Sequence, residues 1–275
     1  MKTNELINFG TNTLRNNKIP SNRIDSEIIL SHIIGVSREE LLVNERDVAL
    51  DKIEEFKSLI LRRSKNEPVA YITKKKEFRS KNFFVNNSCL IPRPETELLI
   101  DPLIKIFKQK NLFFLDIGIG SGCIAYSILN ELKQSKGIGI DISKETLKNA
   151  KNNLKKFNNR IKLLNRPIEE IKNKKFDLIV SNPPYVIKRE INRLSCDIKN
   201  FEPRIALDGG NDGLDVIRKV IYKSRNILKF NGILALEIGT GQCKDVKRIL
   251  YKNSFRIKAL LRDYQSNVRC IFSTI

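Results

Sequence analysis

The chain has no tryptophan, one methionine and one histidine among its 275 residues. A single histidine, His32, excludes His-x-x-x-His metal motifs, and any histidine-based nucleophilic relay would have to be built on that one residue. It sits in an apolar segment and reads as a helix residue without chemistry. The five cysteines, Cys89, Cys123, Cys196, Cys243 and Cys270, show no Cys-x-x-Cys spacing. Scattered thiols in odd number fit a reducing compartment and small core positions, and they argue against a zinc ribbon or a disulfide framework; no metal site is expected. No apolar run approaches the ~20 residues of a membrane helix. The opening Met1-Lys2-Thr3-Asn4-Glu5 has no apolar signal core, so a cytoplasmic location without membrane contact is expected. Acidic residues are outnumbered, 31 against 51 basic, for a net charge of +20. Such an excess ordinarily points to nucleic acid. Here it is spread as lysine among asparagine and isoleucine, as in Lys148-Asn149-Ala150-Lys151-Asn152-Asn153. Coding bias accounts for that pattern as well as a polyanionic partner does, so the charge names no substrate.

What is present divides into three stretches. Residues 1–70 carry apolar residues at helical spacing, Ile24, Ile28, Ile29 and Ile33, then Ile53, Phe56, Leu59 and Ile60, and read as a small all-helical bundle that docks a partner or steadies the rest. Residues 71–95 hold two short extended runs, one leading to Phe78 and one through Phe83-Phe84-Val85, with turn chemistry at Asn86-Asn87; they read as a β-hairpin linker. Pro92-Arg93-Pro94-Glu95 then stiffens the chain, with Arg93 and Glu95 protruding as one wall of a cleft. From 96 to 275 strands alternate with helices, the signature of a mostly parallel sheet. Strands are expected at 112–116, 137–141, 161–164, 176–181, 233–238, 255–260 and 267–272.

Two motifs fall at the carboxyl ends of these strands, the edge where open α/β sheets bind ligands. The first is Asp116-Ile117-Gly118-Ile119-Gly120-Ser121-Gly122, a tight loop opening a helix. Its spacing is not Gly-x-Gly-x-x-Gly. Asp141 ends the next strand, 21 residues after Gly120, where an acid takes both hydroxyls of a ribose. Together these fit an adenosyl nucleoside without a pyrophosphate, hence S-adenosyl-L-methionine. The second motif is Asn182-Pro183-Pro184-Tyr185, after the apolar run 176–180. Consecutive prolines end the hydrogen-bond ladder and fix the backbone. The edge then offers a side-chain amide, a free carbonyl at Pro183 and the aromatic face of Tyr185. That set suits a planar, weakly nucleophilic nitrogen: the two acceptors each take one N–H, the lone pair is aimed at an electrophile, and the ring stacks behind.

The chain resembles the PrmC/HemK family, the methyltransferases that modify the glutamine of the Gly-Gly-Gln motif in peptide chain release factors. The resemblance rests on Glu67-Pro68-Val69-Ala70-Tyr71-Ile72 with Glu77-Phe78, on Leu90-Ile91-Pro92-Arg93-Pro94-Glu95-Thr96-Glu97, on 116–122 and 182–185, and on Phe201-Glu202-Pro203 and Asp212-Gly213-Leu214. It implies a Rossmann-like class I S-adenosylmethionine-dependent methyltransferase sheet, mostly parallel with an antiparallel last strand, behind the helical N-terminal domain. It further implies that Gly118, Ile119, Gly120, Ser121 and Gly122 line the methionine end of the cofactor, that Asp141 holds the ribose, and that Pro167 lies over the adenine. Asn182 contacts both cofactor and substrate, and Asn182, Pro183, Pro184 and Tyr185 grip the glutamine. The partner implied is a release factor, met by a monomer; nucleic acid is not required, and proximity to ribosomal RNA is compatible with the charge. Lys74 and Arg166 stand where the family has other residues. Asn-Pro-Pro-Tyr also occurs in enzymes that methylate adenine amines of DNA or RNA, which is the alternative substrate class.

Overall fold

The computed structural model describes residues 1–172 and 175–275. Two compact units emerge, Met1–Lys75 with Ser195–Phe201, and Lys76–Leu194 with Glu202–Ile275.

The first unit contains helices α1 (Thr3–Asn16), α2 (Asn22–Ile34), α3 (Arg38–Val43), α4 (Leu50–Ser64) and the single turn α5 (Val69–Ile72). Their apolar stripes meet in a core that includes Leu6, Leu14, Ile29, Leu30, Phe56 and Ile60. Helix α2 stops at Gly35, whose φ of 82° is the left-handed conformation of a helix C-cap. Helix α3 begins where the Ser37 hydroxyl accepts the Glu40 amide. Arg63 of α4 and Asp25 of α2 form a buried ion pair at 2.7 Å. Removing one partner there would strand a charge in the core.

In the second unit strands β1 (Lys75–Phe78, whose first residue belongs to the other unit) and β2 (Lys81–Phe84) form a hairpin, followed by a 3-10 turn Pro94–Leu99 and α6 (Ile100–Phe107). The hairpin turns at Arg79-Ser80, both at positive φ, rather than at Asn86-Asn87. Two consecutive left-handed residues match the twist of flanking strands. The Asn86 side chain instead accepts the Ser88 amide two residues on, at 3.0 Å. Tyr71 and Ile72, expected within the linker, belong to the helical turn α5.

The remainder is β3 (Phe113–Ile117), α7 (Cys123–Glu131), β4 (Lys136–Asp141), α8 (Lys144–Asn153), β5 (Ile161–Asn165), β6 (Phe176–Ser181), α9 (Cys196–Phe201, grouped with the first unit), α10 (Asp215–Ile227), β7 (Leu228–Glu237), α11 (Cys243–Lys252), β8 (Arg256–Arg262) and β9 (Val268–Thr274). The seven-stranded sheet has the order β5-β4-β3-β6-β7-β9-β8, with β9 alone reversed between two neighbours. Both faces of the sheet are covered, by one core containing Phe114, Leu178 and Ala235 and by another containing Leu115, Ile179 and Leu234. That is why these strands read as near-continuous apolar runs. Strand β7 starts earlier than the expected 233: Asn231-Gly232, a turn signal by composition, lies within it, beside a register shift against β6.

Register positions the site. Ile117 pairs with Ile140 on one side and with Ser181 on the other. Gly118, Asp141 and Asn182, the next residue of each strand or loop, therefore come out level. Ser181 also pairs with Leu236, which brings Glu237 level with Asn182.

Candidate active site

The glycine loop leaves β3 with Gly118, Gly120 and Gly122 at φ of 68°, 57° and 82°. Left-handed backbone suits glycine at all three, but the surroundings differ. A Cβ on Gly118 would meet nothing within 4 Å, and one on Gly120 only the Gly118 carbonyl at 3.8 Å. A Cβ on Gly122 would lie 2.9 Å from Leu154 Cδ1. The first two thus keep a bare backbone beside open space, and the third lets the loop pack beneath the end of α8. Gly122 caps α7, so the loop opens into a helix N-terminus.

Asp141 braces this loop. Its carboxylate accepts the Gly120 amide at 3.3 Å and the Ser143 amide at 2.9 Å. A carboxylate has further lone pairs to offer. Burial raises its pKa against the pull of those amides. Asp116, behind the loop, is 1% exposed and neither carboxylate oxygen finds a hydrogen-bond partner among the described residues. Burial, with the charge of nearby Asp141 adding to it, pushes its pKa up to about 7.

A raised acid pKa means that folding favours the protonated form. The stability Asp116 contributes is complete below its unfolded pKa near 4 and is lost as pH rises through about 7. Asp116→Asn removes that dependence. The unfolding free energy of the ligand-free variant, measured by urea titration, should gain on that of the wild type between pH 4 and pH 8 by on the order of 2–4 kcal/mol. Parallel pH profiles would refute the assignment.

A cavity of about 850 Å³ opens over this edge, within the range of small-molecule sites. Of the residues singled out in the sequence, Gly118, Ile119, Gly120, Ser121, Asp141, Pro167, Asn182 and Pro184 line it. Gly122, Pro183 and Tyr185 are not among its lining residues. Pro183 is buried, and its carbonyl accepts no main-chain hydrogen bond among the described residues.

Helix α8 supplies a wall that the sequence did not reveal. Thr146 Oγ1 donates to the Ser88 carbonyl at 2.6 Å, and Asn149 Nδ2 donates to Asn86 Oδ1 at 2.8 Å, which fixes Ser88, Cys89 and Leu90 along the cavity. Asn153 holds both the main chain of Phe84 and the Ser121 carbonyl. Arg93 does not protrude: it pairs with the buried Glu202, which also accepts the Ile91 amide at 3.3 Å. The wall next to the cavity is formed instead by Pro92 and Thr96.

Around Asn182 lies a chain of polar contacts. Asn182 Nδ2 donates to Thr96 Oγ1 at 3.1 Å, and Thr96 Oγ1 donates to Glu237 Oε2 at 2.6 Å. The other Glu237 oxygen accepts the Tyr185 hydroxyl at 3.2 Å, and Arg269 donates to that hydroxyl at 3.0 Å. Glu237 is fully buried, and its pKa is raised by that burial. The Tyr185 phenol is pushed up to about 12, chiefly by burial and then by Glu237, and so stays protonated at neutral pH. The segment beyond Tyr185 is pinned as well, because Gln242 Nε2 donates to the carbonyls of Tyr185 and Gly213.

A sheet of this order with one reversed strand, carrying a glycine loop and an acid at the ends of adjacent strands, is that of a class I S-adenosylmethionine-dependent methyltransferase. The chain is 36% identical over 98% of its length to the release factor glutamine methyltransferase of Fusobacterium nucleatum subsp. nucleatum and covers 78% of that protein. It belongs to the release factor glutamine methyltransferase family. The PrmC N-terminal domain model matches residues 5–73 and the methyltransferase small domain model matches 94–197. A bifunctional methyltransferase of Rickettsia conorii is 35% identical over 98% of the chain, which spans only 57% of that longer protein. Among solved structures, a methyltransferase from Pyrococcus furiosus shares the fold with a TM-score of 0.54 at 17% identity, over 79% of this chain and 96% of the other. Among the described residues no helix is long and apolar enough to cross a membrane.

Proposed function

We propose that the chain transfers a methyl group from S-adenosylmethionine to the side-chain amide nitrogen of the glutamine in the Gly-Gly-Gln motif of peptide chain release factors. The observation that carries this reading is the orientation of Asn182. Its Nδ2 is committed to Thr96, so its Oδ1 remains as an acceptor at the cavity. Relatives named release factor glutamine methyltransferase over most of their length support the same substrate.

The residues fit the cofactor chemically. S-adenosylmethionine supplies an electrophilic methyl group on a cationic sulfonium. Asp141 in the cavity and the unpartnered Asp116 behind it are matched to a cationic ligand that carries ribose hydroxyls. Gly118, Ile119, Gly120 and Ser121 would line its methionine end, with Gly122 packing the loop against α8 instead, Asp141 would take the ribose, and Pro167 would lie against the adenine. Asn182 Oδ1 and the Pro183 carbonyl would accept the two N–H groups of the acceptor amide. The lone pair is then turned toward the methyl group, and Tyr185 backs the plane. The new bond is N–C, the broken one is C–S, and an amide proton is released to water. Catalysis comes from orientation in a cavity that sheds water. Glu237, occupied by Thr96 and Tyr185, is not available as a base.

Labelled S-adenosylmethionine offered with a release factor, its Gly-Gly-Gln Gln→Ala variant and single-stranded and duplex DNA tests the reading. Label is expected on the release factor and absent from the variant. Label on nucleic acid alone would move the acceptor to an adenine amine.

A further inference from the structure

We infer that Glu237, acting through Thr96, is a positioning residue that selects which end of the Asn182 side-chain amide faces the acceptor. This rests on the function just proposed and adds to it the groups that set the polarity of the receptor.

The argument is one of donors and acceptors. The Arg269 guanidinium, 3.7 Å from Glu237 Oε1, favours the carboxylate against its burial; such a carboxylate only accepts hydrogen bonds, and a threonine hydroxyl has a single hydrogen to give. Thr96 gives it to Glu237 Oε2 at 2.6 Å. What remains on Thr96 Oγ1 is acceptor capacity, and the Asn182 amide can meet it only with its NH2 end, as it does at 3.1 Å. The direction of every bond in the chain is thus set by the acid at its end. The opposite Glu237 oxygen is held the same way, since Tyr185 donates to it while accepting from Arg269. Thr96 and Tyr185 both donate to Glu237, and the Arg269 guanidinium lies 3.7 Å from its Oε1, a setting that a carboxylate answers. A flipped Asn182 would turn its NH2 toward the NH2 of the acceptor amide, donor against donor. Neither Thr96 nor Glu237 needs to touch the acceptor to exert this control.

Thr96→Val keeps the shape and removes the hydroxyl, whereas Thr96→Ser keeps the hydroxyl and removes the methyl group. A packing role predicts that Val is the better replacement; a positioning role predicts Ser. We expect kcat to fall at least about tenfold in Thr96→Val and to stay within about threefold of wild type in Thr96→Ser. The dissociation constant for S-adenosylmethionine, measured by calorimetry, should be little changed in both. Glu237→Gln, which brings donors to a site ringed by donors, should lose at least as much kcat as Thr96→Val, and it carries the test if the valine variant does not fold. A Thr96→Val or Glu237→Gln enzyme with wild-type kcat, or one in which valine outperforms serine, overturns the inference. Hydrogen exchange of the Asn182 side-chain NH2, followed by NMR on the ligand-free protein, gives a readout independent of the acceptor. It should be slow in the wild type and in Thr96→Ser and fast in Thr96→Val. If the wild type labels no release factor, the substrate assignment fails alone. If exchange does not differ among the three proteins, the positioning role fails alone.

Discussion

Asn182→Ala is expected to lower the rate of glutamine methylation at least ~10²-fold while S-adenosylmethionine still binds. The amide nitrogen of glutamine is a poor nucleophile because its lone pair is delocalised into the carbonyl. In the proposed reaction the enzyme's contribution is to hold that nitrogen with its lone pair directed at the methyl group. On the proposed mechanism Asn182 would offer one of two acceptors for this purpose, and its side-chain NH2 donates to Thr96. Losing the acceptor leaves an amide N–H unpaired in a partly buried site, at roughly 1–3 kcal/mol, and releases the substrate to rotate. Single-turnover rates at saturating cofactor, with calorimetric binding as the control, measure the effect. Near-normal rates with normal binding would remove Asn182 from the mechanism.

Asp141→Ala should act on the other half of the reaction, weakening S-adenosylmethionine about 10²-fold. Two hydroxyls of a ribose would each lose a charge-assisted hydrogen bond, at roughly 1.5 kcal/mol apiece. The same substitution frees the Gly120 and Ser143 amides that Asp141 now holds, so the glycine loop loses a brace together with its ligand. Asp141→Asn retains one acceptor oxygen and should fall between the wild type and alanine. Calorimetry on the ligand-free proteins decides the matter, and an alanine variant that binds within about threefold of wild type would place the ribose elsewhere.

The two halves differ in how far the sequence announced them. Gly118 to Gly122 and Asn182 to Tyr185 were legible because each must override the backbone locally: positive φ needs glycine, and a strand that stops at two prolines cannot be mistaken for one that continues. The parallel sheet was legible for a related reason, since strands covered on both faces read as short apolar runs between helical stretches. Thr96, Glu237 and Arg269 left no such mark. Thr96 and Glu237 are 141 residues apart in the chain, and each by itself is an ordinary residue of a turn or a strand end. Glu237 and Arg269 come together through the pairing of Glu237 with Cys270, and Thr96 reaches Glu237 from the 3-10 turn Pro94–Leu99, an arrangement that composition does not encode. Asn149 and Asn153 were likewise hidden. On a helix surface they look like solvated polar positions, whereas in the fold they hold the cavity wall. The Arg79-Ser80 turn was missed because neither residue is a usual occupant of left-handed backbone.

The reversed strand gives the site a history as well as a shape. Strand β9 is the last in sequence, yet it lies between β7 and β8, and Arg269 sits at its start, beside Glu237. Because β9 runs against its neighbours, it delivers its first residues to the edge where the parallel strands deliver their last. On a growing chain Gly118, Asp141 and Asn182 emerge well before Arg269. The glycine loop and Asp141 thus stand on strands that precede β9 in the chain, and the Arg269 contact to the Tyr185 hydroxyl comes from β9 itself.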